Sequence, residues 1–253
     1  MYWLNSKSSS KVKDDDVIAL IDQDFLFIRP LINKIKGEPN ILHNYMLSNK
    51  FMDVPEMVKK GQAVGQLYDI NGIWANDRNP HFNRTYVCGK NSPCLLINER
   101  YASQYYSIGS PFILVKSDWI RLVKTWTKFS PLVYETSHKY TFMTELHAYG
   151  MAAAHEKLPH FQLHNLMISN SKIANEGWPL VDKLNDYCLP PMENGIFYPN
   201  KVLPTFLHYC QEYSNSLLGV TFYKKRNNPK TFFSCNSSML PEFNDNVGTM
   251  VSY

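Results

Sequence analysis

No run of apolar residues in this chain approaches the ~18 that a membrane-spanning helix requires, so none of its segments is read as a membrane span. Cysteine is scarce, five in 253 residues, and none of the five forms a C-x-x-C pair. That argues against a zinc ribbon. Basic residues barely exceed acidic ones, 26 Lys+Arg against 22 Asp+Glu, and a net charge of +4 is too small to make nucleic acid the main partner. No internal repeat or low-complexity tract is present, and the start, M-Y-W-L-N-S-K, carries no basic stretch followed by an apolar one. Four histidines gather at His147, His155, His160 and His164, but Pro159 stands where the second histidine of H-E-x-x-H belongs and His160 comes one residue late. They read as helix and loop histidines, with His164 near an acceptor groove.

What is present describes a folded chain. Apolar residues make up 44 % and charged residues 19 %, which excludes wholesale disorder. Aromatics reach 14 %, which suits an aromatic-lined cleft or a rich core. The length is enough to bury such a core, and residues 1–253 read as a single domain, with 211–253 a hairpin and tail. Cys88 and Cys94 flank a short polar loop, C-G-K-N-S-P-C, that a disulfide can close in an oxidising compartment; free buried thiols are the other reading. Two glycosylation sequons, Asn83-Arg84-Thr85 and Asn236-Ser237-Ser238, lean toward a secretory lumen.

Strand-like and helix-like segments alternate, which predicts an α/β domain. V-I-A-L-I, Val17 to Ile21, is short and rich in β-branched residues, the pattern of a strand buried on both faces. Further strands are expected at Gln62–Tyr68 and Pro111–Val115, and a late strand or buried turn at Val202–Tyr209, ending in His208. One or two helices are expected in 41–60, and others at Trp119–Phe129, with Ser117 as N-cap, and at Thr141–Glu156. Residues 69–98 and 175–204 read as loop-rich.

The sharpest chemical feature follows the first strand: Asp22-Gln23-Asp24. Carboxylates at i and i+2 of an extended backbone point to one side. At the carboxyl end of a strand in an α/β sheet they lie where ligands bind. Two like charges so close favour a divalent cation, which in turn can hold a diphosphate. D-x-D is the metal–diphosphate clamp of nucleotide-sugar glycosyltransferases with the GT-A fold; a solvated acidic turn is the plainer reading.

Five collinear segments carry a resemblance. They are D-Q-D-F-L-F-I-R-P-L (Asp22 to Leu31), S-I-G-S-P-F-I-L-V-K-S-D-W-I-R-L-V-K-T-W (Ser107 to Trp126) and T-E-L-H-A-Y-G-M-A-A-A-H (Thr144 to His155), then N-L-M-I-S (Asn165 to Ser169) and L-H-Y-C (Leu207 to Cys210). Together, over roughly residues 17–210, they resemble plant and algal hydroxyproline O-arabinosyltransferases and peptidyl-serine galactosyltransferases.

The resemblance implies a GT-A-like domain, a mixed sheet flanked by helices, and a role for particular residues. Asp22 and Asp24 would hold Mn²⁺ or Mg²⁺ against the diphosphate of a UDP-sugar donor, with His208 as third protein ligand. Arg29 would bind a phosphate, or pair structurally with an acidic neighbour. Gly109, Ser110 and Pro111 would form a tight turn beside the donor sugar. Glu145, a carboxylate in an otherwise mostly uncharged helix, would orient sugar or acceptor hydroxyls or act as a base; a helix-face salt bridge is its plainer reading.

The activity so implied is transfer of a sugar, arabinose first, to hydroxyproline hydroxyls of a protein in the Golgi lumen. Serine galactosylation is the close alternative, and a non-catalytic homologue serving as a binding domain is a second. A metal-dependent hydrolase built on Asp22 and Asp24 needs more ligands than the first half supplies. One departure stands out. Only 21 residues precede Asp22, whereas a GT-A domain places a strand–helix–strand unit and a membrane anchor before this motif. The expectation is therefore a chain lacking both, with a reduced nucleoside pocket.

Overall fold

The computed structural model describes residues 4, 6, 10–28, 31, 33, 56–68, 70–141, 143–163, 166–169, 192–193, 196–197, 204–208, 212–215 and 220–223. Its centre is a four-stranded mixed sheet of β1 (Val17–Leu20), β3 (Ala63–Leu67), β4 (Ile108–Val115) and β5 (His160–Leu163), in the order β1-β4-β3-β5. β1 and β3 run antiparallel to β4, while β3 and β5 are parallel. All eight residues of β4 are buried. A register shift at Gly65/Gln66 lets Gln66 turn inward, where its Oε1 accepts from the Leu166 and Met167 amides at 3.0 and 3.1 Å.

Period-2 alternation divides the core between the two faces of this sheet. Ile18, Ala63, Ile108, Phe112 and Leu114 point to one side, against α3 (Lys116–Ser137) and α4 (Thr144–His155). On that side lie also the short helices α1 (Arg84–Cys88) and α2 (Glu99–Tyr105). Val64, Ile113, Phe161 and Leu163 point to the other side. There they meet a second sheet of β2 (Phe25–Phe27), β6 (Met167–Ile168) and β9 (Phe206–His208), in the order β2-β9-β6. Two further short antiparallel pairs are described: β7 (Met192–Glu193) with β8 (Ile196–Phe197), and β10 (Glu212–Asn215) with β11 (Val220–Tyr223). The fold is thus mixed α/β, with helices packed on the central sheet.

Several expectations change in detail. β1 is half-buried rather than buried on both faces, because it forms the edge of the central sheet among the described residues; Leu20 is 40 % exposed. β4 begins three residues before the expected Pro111. The helix expected at Trp119–Phe129 begins at Lys116 and continues through Pro131. Ser117 is not its cap: the Lys116 and Ser117 amides donate to the Asp16 and Asp14 carbonyls at 2.9 and 3.0 Å, so the chain before β1 satisfies the first turn. The loop-rich 69–98 holds short helical turns, and Cys88 and Cys94 are joined in a disulfide there with Cα atoms 6.4 Å apart. Of the stretch expected to be helical, residues 56–60 hold no helix, with Lys59 in an isolated bridge to Gln62; residues 41–55, the other three cysteines and the tail beyond 223 lie outside the described residues.

Candidate metal centre

The D-x-D pair sits where the chain leaves one sheet for the other. β1 ends at Leu20, Asp22 and Asp24 form the turn, and β2 starts at Phe25, whose amide closes the turn on the Asp22 carbonyl at 3.1 Å. β2 then pairs antiparallel with β9 in a register that sets Phe25 directly opposite His208. On β9 the alternation places Phe206 and His208 on one side. Phe206 is fully buried against Phe25, with ring centroids 5.3 Å apart. The His208 ring is held 4.6 Å from that of Phe25. Apolar packing of two strands thus fixes the position of an imidazole that sequence distance leaves undetermined.

The result is a three-ligand cluster. His208 Nε2 lies 3.4 Å from Asp24 Oδ1 and 3.6 Å from Asp22 Oδ2. One ligand atom from each of the three residues falls within 4.8 Å of the others. Burial is graded, with Asp22 exposed, Asp24 half-buried and His208 buried. Two atoms bound to one ion at about 2.1 Å stand roughly 3.0–4.2 Å apart, according to the angle at the metal. The two histidine separations fall inside that range. Two carboxylates and an imidazole suit a divalent metal, and a dication balances both carboxylate charges. The donor set and its spacing therefore fit a divalent cation open to solvent on the Asp22 side.

A residue that sequence reasoning missed supports the histidine. Tyr68, just beyond β3, places its hydroxyl 3.4 Å from His208 Nδ1, and the same hydroxyl donates to Met167 Sδ at 3.7 Å. With Nε2 turned to the carboxylates, Nδ1–H is free to donate to the Tyr68 oxygen, the arrangement that fixes a ligand histidine's tautomer. Nothing in the local pattern marks Tyr68. The signal lies in Gly109, because a Cβ there would overlap the Tyr68 ring.

The remaining expected site residues fall elsewhere. Gly109, Ser110 and Pro111 do not form a turn; they are the interior of β4, with a cis Ser110-Pro111 bond and Ser110 Oγ donating to the Leu20 carbonyl at 3.3 Å. The close approach that the glycine allows is made by Tyr68. Glu145 is exposed at the first turn of α4, where a carboxylate complements the helix dipole. The burial argument made for it does not hold, and α4 packs on the face of the central sheet opposite the second sheet. Arg29 and His164 lie outside the described residues.

Two histidines of the 147–164 run are tied into the fold. Buried His160 bonds Tyr149 Oη through Nε2 at 2.8 Å and the Leu158 carbonyl through Nδ1 at 2.9 Å. Burial pushes its pKa down to about 3, against the opposing pull of that carbonyl. His155 Nδ1 lies 2.7 Å from Ser92 Oγ. Comparison with family models, curated proteins and solved structures finds no match to this chain.

Proposed function

We propose that this chain is a metal-dependent nucleotide-sugar glycosyltransferase whose cation is held by Asp22, Asp24 and His208. The observation that carries the reading is the convergence of an early D-x-D turn with a late histidine, 3.4 and 3.6 Å from its carboxylates. Asp22 and Asp24 supply negative charge toward the open side, and His208 closes the site from the buried side. The cation, Mn²⁺ or Mg²⁺, supplies positive charge to a leaving diphosphate. A UDP-sugar is the proposed donor, on the strength of the five collinear segments. The same segments make a protein hydroxyl, hydroxyproline first, the proposed acceptor and a GT-A-like architecture the proposed fold type. The Cys88–Cys94 disulfide supports placement in an oxidising lumen such as the Golgi. Among the described residues no helix is long and apolar enough to cross a membrane.

The test is a transfer assay with Mn²⁺, UDP-arabinose or UDP-galactose, and peptides carrying hydroxyproline or serine, read by peptide mass. Pentose added to hydroxyproline is the expected result, lost in Asp24→Asn. Hexose on serine would move the assignment to the galactosyltransferase reading. Release of no UDP from either donor would overturn the proposal.

A further inference from the structure

We infer that Asn83 is an N-glycosylation site, accepting an oligosaccharide from a lipid diphosphate donor in the lumen of the secretory pathway. Five observations meet at or beside this residue, and none concerns the metal centre. The sequence there is Asn83-Arg84-Thr85, an acceptor sequon with threonine in the third place. Asn83 and Thr85 are both exposed, whereas the Arg84 side chain between them turns inward. Its Nη1 donates to the Ile97 carbonyl at 2.7 Å, and its Nη2 pairs with Asp77. The two residues a glycosylation enzyme reads therefore face outward, and the one it ignores anchors the loop.

The Asn83 amide itself is divided between two tasks. Its Oδ1 accepts from the Tyr86 amide at 3.0 Å. Among the described residues its Nδ2 makes no hydrogen bond, so a substituent on that nitrogen breaks no hydrogen bond of the fold. Beside it lies a hollow of about 280 Å³ that Asn76, Asp77, Asn83 and Thr85 help to line. Asn76 and Asp77 are held there by Glu99 and Arg84, so the polar wall beside Asn83 is fixed by the fold. The disulfide between Cys88 and Cys94 follows a few residues later and marks the same stretch as one that matures under oxidising conditions.

The chemistry balances simply. C1 of the reducing-end sugar bonds to Asn83 Nδ2, its bond to the diphosphate oxygen breaks, Nδ2 gives up one proton, and the lipid diphosphate leaves with the bonding electron pair. The other sequon, at Asn236, lies outside the described residues and carries none of this argument.

The experiment is production of the full chain in a eukaryotic secretory host behind a cleavable leader, then peptide mapping before and after an amide-cleaving glycosidase. The Asn83 peptide is expected to carry a glycan and, after the enzyme, to hold Asp in place of Asn83. Thr85→Ala destroys the sequon but keeps the Asn83 side chain and its bond to Tyr86, so this variant is expected to fold and to yield the unmodified peptide. Asn83→Gln is expected to lose the same glycan. Recovery of unmodified Asn83 from secreted wild-type protein would overturn the inference. So would a glycan that persists on this peptide in Thr85→Ala.

Discussion

The ring of Tyr68 occupies the space that a side chain at Gly109 would need. Gly109 lies within β4, and Tyr68 follows the end of β3, the strand beside it. Because the Tyr68 hydroxyl reaches His208 Nδ1, the absence of a side chain in the central sheet bears on a ligand in the second sheet. Gly109→Ala is expected to displace the ring and destabilise the fold by about 1–3 kcal/mol, the usual range for overpacking. It should also weaken Mn²⁺ affinity. Chemical denaturation and metal titration on the same sample check both effects; unchanged metal affinity would show that Tyr68 does not position His208.

Tyr68→Phe separates the ring from its hydroxyl. The phenyl group keeps the packing against Gly109, and the partner of Nδ1 is removed. Metal affinity is expected to fall by roughly 10- to 100-fold, the typical cost of losing such a supporting group, with thermal stability nearly constant. Calorimetric titration with Mn²⁺ and a melting curve measure the two quantities separately.

Acid should destabilise the helical side of the molecule. Burial holds His147 down to about 4 and His160 down to about 3. In the unfolded chain both titrate near ~6.5. Below that value the unfolded state binds protons that the folded state refuses, so stability falls as pH drops through ~6.5 toward the folded values; above it neither group adds a pH dependence. Each contributes at most about 1.4 kcal/mol per pH unit. Among the described residues the buried His147 Nδ1 has no hydrogen-bond partner, so His147→Leu is expected to flatten the slope at little cost at neutral pH. Urea denaturation from about pH 7 to about pH 5 measures that slope; equal slopes in wild type and variant would contradict it.

The parts of this fold legible in the sequence are those fixed by short-range chemistry. Val17 to Ile21 announces β1 by β-branching, and the two carboxylates after it are visible as a pair. Ala148 to Ala154 announces α4 by helix-forming residues. Edge position was not legible, since V-I-A-L-I reads alike at the centre or rim of a sheet; only the pairing with β4 decides it. The resemblance makes Gly109-Ser110-Pro111 a turn, with the strand starting only at Pro111. Here those residues nevertheless lie inside a wholly buried β4. Glu145 looked costly because its neighbours are apolar, yet the first turn of α4 leaves it in solvent. Tyr68 was invisible because its importance comes from a glycine on another strand. Where His208 would fall relative to Asp24 was not legible locally at all; it depends on the β2–β9 register, a contact between opposite ends of the chain.

The central claim is that Asp22, Asp24 and His208 hold one divalent cation that a nucleoside diphosphate requires. The most direct measurement is calorimetric titration of Mn²⁺, followed by UDP, into wild type, Asp24→Asn and His208→Ala. One Mn²⁺ per chain is predicted for wild type, with UDP heat appearing only once the metal is bound, and both signals are predicted to collapse in the two variants. Equal Mn²⁺ and UDP binding by wild type and Asp24→Asn would contradict the account.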